Sequence, residues 1–320
     1  MKFFRSKPYH LLLGAIIAAS VFICFVTPIG GSFTDVITLK MNSVSEITPV
    51  KATITASQYD SVTRKFYLAK DSYGVEKRII AQAALGLKVG DIIVADCSYL
   101  PSEDYFEVIR LERVNPTMTF PLIQGLGELG RNMLFHVPMS FVATIAFLLG
   151  TIYSILFLLK KKMEYDFHAR AASAGGLLFT ILATVTGSIW ARFSWGTFWN
   201  WDPRETSIFI LLLIYIAYFL LRSLLEDDEE KKARIAAVYN IIAFITVPFL
   251  MFVLPRITQS LHPGSSGTEA PVINLSGKTH TDPILSYMLW TNVLLITLLF
   301  LWIKELYTIV LRKEYSAGEQ

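Results

Sequence analysis

The chain has 320 residues, 53% of them hydrophobic, 13% aromatic and only 17% charged. Its mean hydropathy is +0.48. Soluble domains carry about 25% charged residues, so this balance excludes disorder, a disulfide scaffold and an ordinary cytosolic enzyme. It describes an integral membrane protein. A formal net charge of +3 gives a nucleic-acid partner no electrostatic support. Of the two cysteines, Cys24 lies in an apolar run and Cys97 in a strand-like stretch. Both read as unpaired packing residues.

A helix needs about 20 residues to cross a hydrocarbon core about 30 Å thick. Six apolar runs qualify, approximately 11–26, 137–159, 174–190, 208–225, 235–254 and 284–302. The first follows Lys2, Arg5 and Lys7, as a signal peptide does. It is long for one, and its small residues Ala18-Ala19-Ser20 fall inside the apolar run. An uncleaved transmembrane helix is therefore expected within residues 1–28.

Residues 45–115 have a different texture. Short β-rich runs recur at 51–55, 65–68, 77–80, 91–95 and 106–110. Asp60-Ser61, Tyr73-Gly74, Val89-Gly90-Asp91 and Pro101-Ser102 punctuate them. Five strands in this length predict a small all-β barrel, OB-like, inserted between the first two spans. The segment holds no histidine, and its acids show no metal-ligand spacing. It reads as a docking or shielding domain. Residues 120–311 then form a five-helix membrane domain.

Orientation follows from Lys and Arg in short loops. With the N-terminus cytoplasmic, the inner segments hold fourteen such residues and the short outer loops only Arg192, Arg204, Arg256 and Lys278. Both termini are then cytoplasmic, and the β domain is periplasmic. His10 and His168 fall inside; His136, His262 and His280 fall outside.

Four of the six tryptophans lie at 190, 195, 199 and 201, at the end of span three and in the outer loop after it. An aromatic belt at the membrane interface explains one or two of them. It does not readily explain Trp190, Trp195, Trp199, Trp201 and Phe198 around Gly196, with Asp202 and Arg204 alongside. Flat indoles with few polar groups suit a large planar apolar ligand. Asp202, Pro203 and Glu205 also read as a helix start: an N-cap, a first-turn proline and an acid on the positive end of the dipole.

Trp195-Gly196-x-x-Trp199-x-Trp201-Asp202-x-Arg204-x-Thr206 resembles the WWD signature of the haem-handling proteins of cytochrome c maturation. Phe135-His136-Val137-Pro138 and Leu261-His262-Pro263-Gly264-Ser265 resemble the flanking histidine motifs of one branch, the C-component family CcmC. The resemblance covers about residues 120–310 on three separate motifs. This chain departs from the family between the first two spans, where the barrel-like domain replaces a short connection.

The resemblance implies haem b as transient cargo, delivered to a periplasmic haem chaperone during c-type cytochrome biogenesis. It also implies ATP-binding-cassette subunits of the maturation system as partners, and covalent attachment on the chaperone. This chain has no Gly-rich phosphate loop and reads as a transfer protein without its own nucleotide site. His136 and His262 would be the axial iron ligands, on different walls of an outward-facing cleft. His280, with no motif around it, ranks below them. Trp190, Trp195, Trp199, Trp201, Asp202 and Arg204 complete the expected site. The propionates would go to arginine, with Arg131, Arg192, Arg204 and Arg256 as candidates.

Two other functions make different demands. A transporter or channel for haem or a small solute needs polar mid-span residues or broken helices. The spans are nearly free of charge, Gly175-Gly176 and Gly187 lie near span ends or permit close packing, and Pro248 is the one obvious mid-span breaker. A resident electron-transfer haem wants histidines within the bundle, and these lie at span ends and in loops.

Overall fold

The computed structural model describes residues 7–59, 65–81, 85–123, 126–225, 228–262 and 283–318. Packing divides the chain into two units. A β-rich unit comprises Phe22–Arg131 with Asp282–Leu285. A helical unit comprises Met1–Val21, Asn132–Thr281 and Ser286–Gln320. The first helix, α1 (Lys7–Val26), contributes to both.

In the β-rich unit, β1 (Ile29–Gly30) pairs in parallel with β7 (Phe120–Pro121), joining the unit's two ends. Between them lie helix α2 (Phe33–Met41) and five longer strands: β2 (Thr48–Tyr59), β3 (Lys65–Asp71), β4 (Glu76–Ala81), β5 (Ile92–Leu100) and β6 (Tyr105–Val114). These five close into a barrel in the order β2-β3-β4-β6-β5. Only β4 and β6 run parallel. Every predicted β-rich run falls in one of these strands, short only of Asp91 at the edge of β5.

Alternation builds the barrel's interior. Thr48, Val50, Ala52 and Ile54 of β2 point inward, and Pro49, Lys51, Thr53 and Thr55 lie between them on the outer face. Phe33 and Val36, both fully buried, place the apolar face of α2 in the same core as Tyr67, Ile93 and Phe106. Asp71 fixes that helix. Its carboxylate accepts the Phe33 N–H at 3.1 Å and, from the following turn, the Tyr73 and Val75 N–H groups at 3.0 and 2.9 Å. Cys97 is an unpaired thiol inside the barrel, and burial pushes its pKa up to about 12, so it stays protonated and inert.

The helical unit holds α3 (Met133–Lys160), α4 (Met163–Trp195), α5 (Pro203–Leu224), α6 (Glu229–Pro248), the short α7 (Leu254–Ile257) and α8 (Pro283–Gly318). A 3₁₀ turn, Gly127–Asn132, leads into α3. Pro248 ends the regular part of α6, and a π-helical turn, Phe249–Val253, follows it. Among the described residues, α3, α4, α5, α6 and α8, with the turns continuous with them, are long and apolar enough to cross a bilayer. The sequence predicts six spans. In α1 the apolar described part is shorter, His10–Val26, about 25 Å of helix against a core of about 30 Å.

Close helix packing has a specific cause. A Cβ on Gly176 would lie 2.4 Å from the Phe147 ring, and one on Gly175 would lie 2.6 Å from Phe300. The paired glycines thus admit an aromatic ring from α3 and another from α8. Phe147 in turn stacks on Tyr215 of α5, with ring centroids 3.6 Å apart.

Charge is concentrated near helix ends. Asp166, in the first turn of α4, accepts two hydrogen bonds from Arg222, in the last turn of α5, at 2.8 and 2.7 Å. Both side chains are buried. The bidentate geometry supplies what a buried ion pair requires. Arg222 also lies over the ring of Tyr218, 6.0 Å from its centroid.

Candidate functional site

The opposite end of α4 collects the tryptophans. Trp190 and Trp195 occupy its last two turns, their rings edge-on with centroids 4.9 Å apart. Gly196 then ends the helix in the left-handed region (φ 85°), where a side chain would be strained. Arg192 donates to the Gly196 carbonyl and lies over the Phe198 ring. That propionate candidate is therefore already engaged with its own loop.

His262, from the segment after α7, enters this aromatic corner. Its ring centroid is 4.9 Å from that of Trp190 and 5.1 Å from that of Trp195. Its Nδ1 and the Nε1 of Trp190 are buried and have no hydrogen-bond partner among the described residues. Burial pushes the His262 pKa down to about 3; Arg204 and His136 repel its proton further, and Asp202 opposes them. The imidazole is thus neutral at physiological pH, the state in which it binds metal.

His136 lies in the first turn of α3 and faces α4. Its Nδ1 is 3.0 Å from the Ala183 carbonyl and 3.2 Å from the Thr186 hydroxyl. Asn132, the residue before α3, donates to the Thr186 carbonyl at 2.9 Å. Pro138 carries no N–H, so it deprives the Leu134 carbonyl of its helical partner. Asn292 of α8 donates to that carbonyl at 3.0 Å and accepts from Ser20 at 2.6 Å. The proline after the histidine is thereby tolerated.

Asp202 couples the tryptophan loop to the His262 segment. It caps α5 in a capping box with Glu205, and Pro203 occupies the first turn, as the sequence predicts. Its buried carboxylate also accepts the Ser260 hydroxyl at 2.8 Å and the Leu261 N–H at 2.7 Å. Ser260 in turn accepts the His262 N–H at 3.1 Å. Glu205 accepts the N–H groups of Asn200 at 2.7 Å and Asp202 at 3.3 Å, closing the loop from within.

The four tryptophans form two groups. Trp190 and Trp195 meet His262. Trp199 and Trp201 pack edge-on against each other, with centroids 5.9 Å apart, and against Phe209 of α5. Trp201 is 68% exposed and adopts the left-handed region (φ 57°). Arg131 belongs to the β-rich unit, where it pairs with Glu128 and donates to the Cys24 carbonyl at 2.7 Å. His280, residues 263–265 of the second histidine motif and the Arg256 side chain lie outside the described residues.

Several contacts carry no sequence signal. Ser260 and the Leu261 N–H reach Asp202 from 58 and 59 residues away. Thr186 and Ala183 look like ordinary span residues until α3 is laid against them. Glu205 is the exception, since an acid three residues after an N-cap announces a capping box.

The profile of the family described as "Heme exporter protein C", CcmC, matches residues 119–319. The chain is 38% identical over 120 residues to heme exporter protein C of Bradyrhizobium diazoefficiens, covering 38% of this chain and 45% of the relative. It is 32% identical over 136 residues to the Paracoccus denitrificans protein of the same name, covering 42% of this chain and 56% of the relative. It is 29% identical over 183 residues to the cytochrome c biogenesis protein CcsA of Chlamydomonas reinhardtii, covering 53% and 49%. The chain thus spans about half the length of these curated relatives. With the family profile covering α3 to α8 and the histidine and tryptophan motifs, the chain belongs to the heme exporter protein C family, CcmC.

Proposed function

We propose that this protein holds haem b, as transient cargo, at the outer face of the cytoplasmic membrane. It delivers that haem to a periplasmic haem chaperone during c-type cytochrome biogenesis. The observation that carries this reading is a neutral, half-buried His262 seated against Trp190 and Trp195, with Arg204 and His136 near enough to repel its proton. Two imidazoles suit the two axial positions of haem iron, and flat indoles suit the macrocycle. His136 and His262 hold the iron, Trp190 and Trp195 pack on the ring, and Arg204 serves a propionate. The protein binds, orients and exposes the cargo, and ATP-binding-cassette subunits of the maturation system supply any nucleotide chemistry.

In this reading α1 is the sixth span, both termini are cytoplasmic, and the barrel is periplasmic. The strand order β2-β3-β4-β6-β5, closed and with one parallel pair, supports an OB-like barrel. Transport of haem or a small solute through the bilayer is the weaker alternative. The buried Asp166–Arg222 pair lies near helix ends, and glycines and aromatic rings fill the space between α3, α4 and α8.

Two experiments test this function. The first is the optical spectrum of the purified protein, with Trp→Ala variants at 190, 195, 199 and 201. Each platform tryptophan should contribute about 1–3 kcal/mol of haem contact, the range for aromatic stacking on flat bases. The larger losses are expected at Trp190 and Trp195, whose rings meet His262. A full set that binds haem and hands it on normally would make the loop an interface belt.

The second experiment deletes the barrel, joining span one to Pro116 through a short Gly/Ser linker. The haem spectrum should persist and transfer to the chaperone should fall, because the barrel serves docking. A deletion protein folded in the membrane but empty of haem would place the barrel within the site.

A further inference from the structure

The turn of α4 that faces His136 carries an arrangement that the family motifs do not contain. An ideal Cβ built on Gly187 lies 2.9 Å from Cε1 of His136, 3.4 Å from Nδ1 and 3.8 Å from Nε2. Real Cβ atoms essentially never come within 3.0 Å of a neighbour. The imidazole therefore sits in the space that glycine leaves open. Gly187 is helical with no left-handed φ, so the backbone alone does not call for glycine there.

Hydrogen bonding completes the cradle. The Ala183 carbonyl 3.0 Å from Nδ1 can only accept, so Nδ1 carries the proton. The Thr186 hydroxyl donates to the Leu182 carbonyl at 2.8 Å and has another carbonyl, that of Ala183, at 3.1 Å. Its proton is thus directed to the helix backbone, and its lone pair faces Nδ1 at 3.2 Å. A neutral imidazole protonated at Nδ1 presents a bare lone pair at Nε2. Partners that fix the tautomer and orientation of a ligating histidine also raise its basicity.

We propose that Gly187 and Thr186 are positioning residues for His136: Gly187 leaves room for the ring, and Thr186, with the Ala183 carbonyl, holds Nδ1 so that Nε2 faces the haem iron. This rests on the haem-holding function proposed above and assigns two residues to it. Among the described residues His262 has no equivalent, since its buried Nδ1 has no partner there. The two sides of the iron are therefore held by unlike devices.

The test uses the full chain purified with its haem, and reads haem content, the low-spin bands and the midpoint potential. Gly187→Ala should lower haem affinity about 10-fold or more, the range for losing an outer-shell partner of a ligating histidine, and shift the remaining haem toward high spin. In a His136→Gly background the same change should cost nothing further. Thr186→Val should keep the low-spin bands and raise the midpoint potential, and Thr186→Ser should restore it. The Thr186 pair serves if Gly187→Ala fails to fold.

His136→Gly with added imidazole separates the two levels of inference. If it loses and then regains the low-spin bands, while Gly187→Ala and Thr186→Val match the wild type, the positioning role is overturned and the haem function stands. An equal loss from Gly187→Ala with and without His136 also overturns the role, because the glycine would then serve helix packing alone. If His136→Gly keeps the wild-type spectrum, His136 is not a ligand and both assignments fall.

Discussion

Alanine at His136 or at His262 should each lower the haem content of the purified protein more than about 10-fold, because even an outer-shell partner of a ligating histidine is worth about 10–100-fold. Haem that remains should lose its low-spin bands, since one axial position then passes to water or stays open. The two variants should differ in how they fail. His136 is anchored through Nδ1 to the α4 backbone, so His262→Ala leaves a well-oriented single ligand. His262 is held through its main chain, by Ser260 and Asp202, so His136→Ala leaves the less constrained imidazole. The absorption spectra of the two single variants and the double variant check this. Two single variants with the wild-type spectrum would refute the ligand assignment.

Asp202→Ala should be nearly as damaging, although Asp202 is not proposed to touch the iron. The carboxylate caps α5 and accepts from Ser260 and Leu261. A lost cap costs about 1 kcal/mol, and hydrogen bonds to a charged acceptor are worth about 1.5 kcal/mol or more apiece. The junction between the tryptophan loop and the His262 segment should thus lose about 4 kcal/mol. The expected result is a folded membrane domain with His262 released, seen as a high-spin spectrum in which His136 still binds. Asp202→Asn should fall between, because its single carbonyl oxygen still caps the helix but cannot serve every donor. Wild-type spectra for both variants would show that the junction does not position His262.

Membrane character, the β-rich insertion and the helix start at Asp202-Pro203 were legible because each is a local property. Hydropathy over about 20 residues, alternation over five, and an N-cap three residues before an acid need no knowledge of distant chain. The composition of the tryptophan loop, with two histidine motifs on the same side, pointed to a planar ligand for the same reason. The apolar part of α1, His10–Val26, is shorter than the five longer spans.

Other features depended on packing between elements far apart in the chain. Four tryptophans close in sequence look equivalent, yet Trp190 and Trp195 end α4 against His262, while Trp199 and Trp201, beyond the left-handed Gly196, pack against Phe209. Asp166 and Arg222 are unremarkable charges near span ends until α4 and α5 pair and bury them 56 residues apart. Thr186 and Gly187 read as bland span residues, because a glycine that admits an imidazole is indistinguishable in sequence from one that admits a leucine. The sequence by itself determined the class of the protein, its elements and the chemistry available at one end of the bundle. Tertiary structure alone decided which side chains meet, because side-chain direction and long-range hydrogen bonds are set only when helices pack.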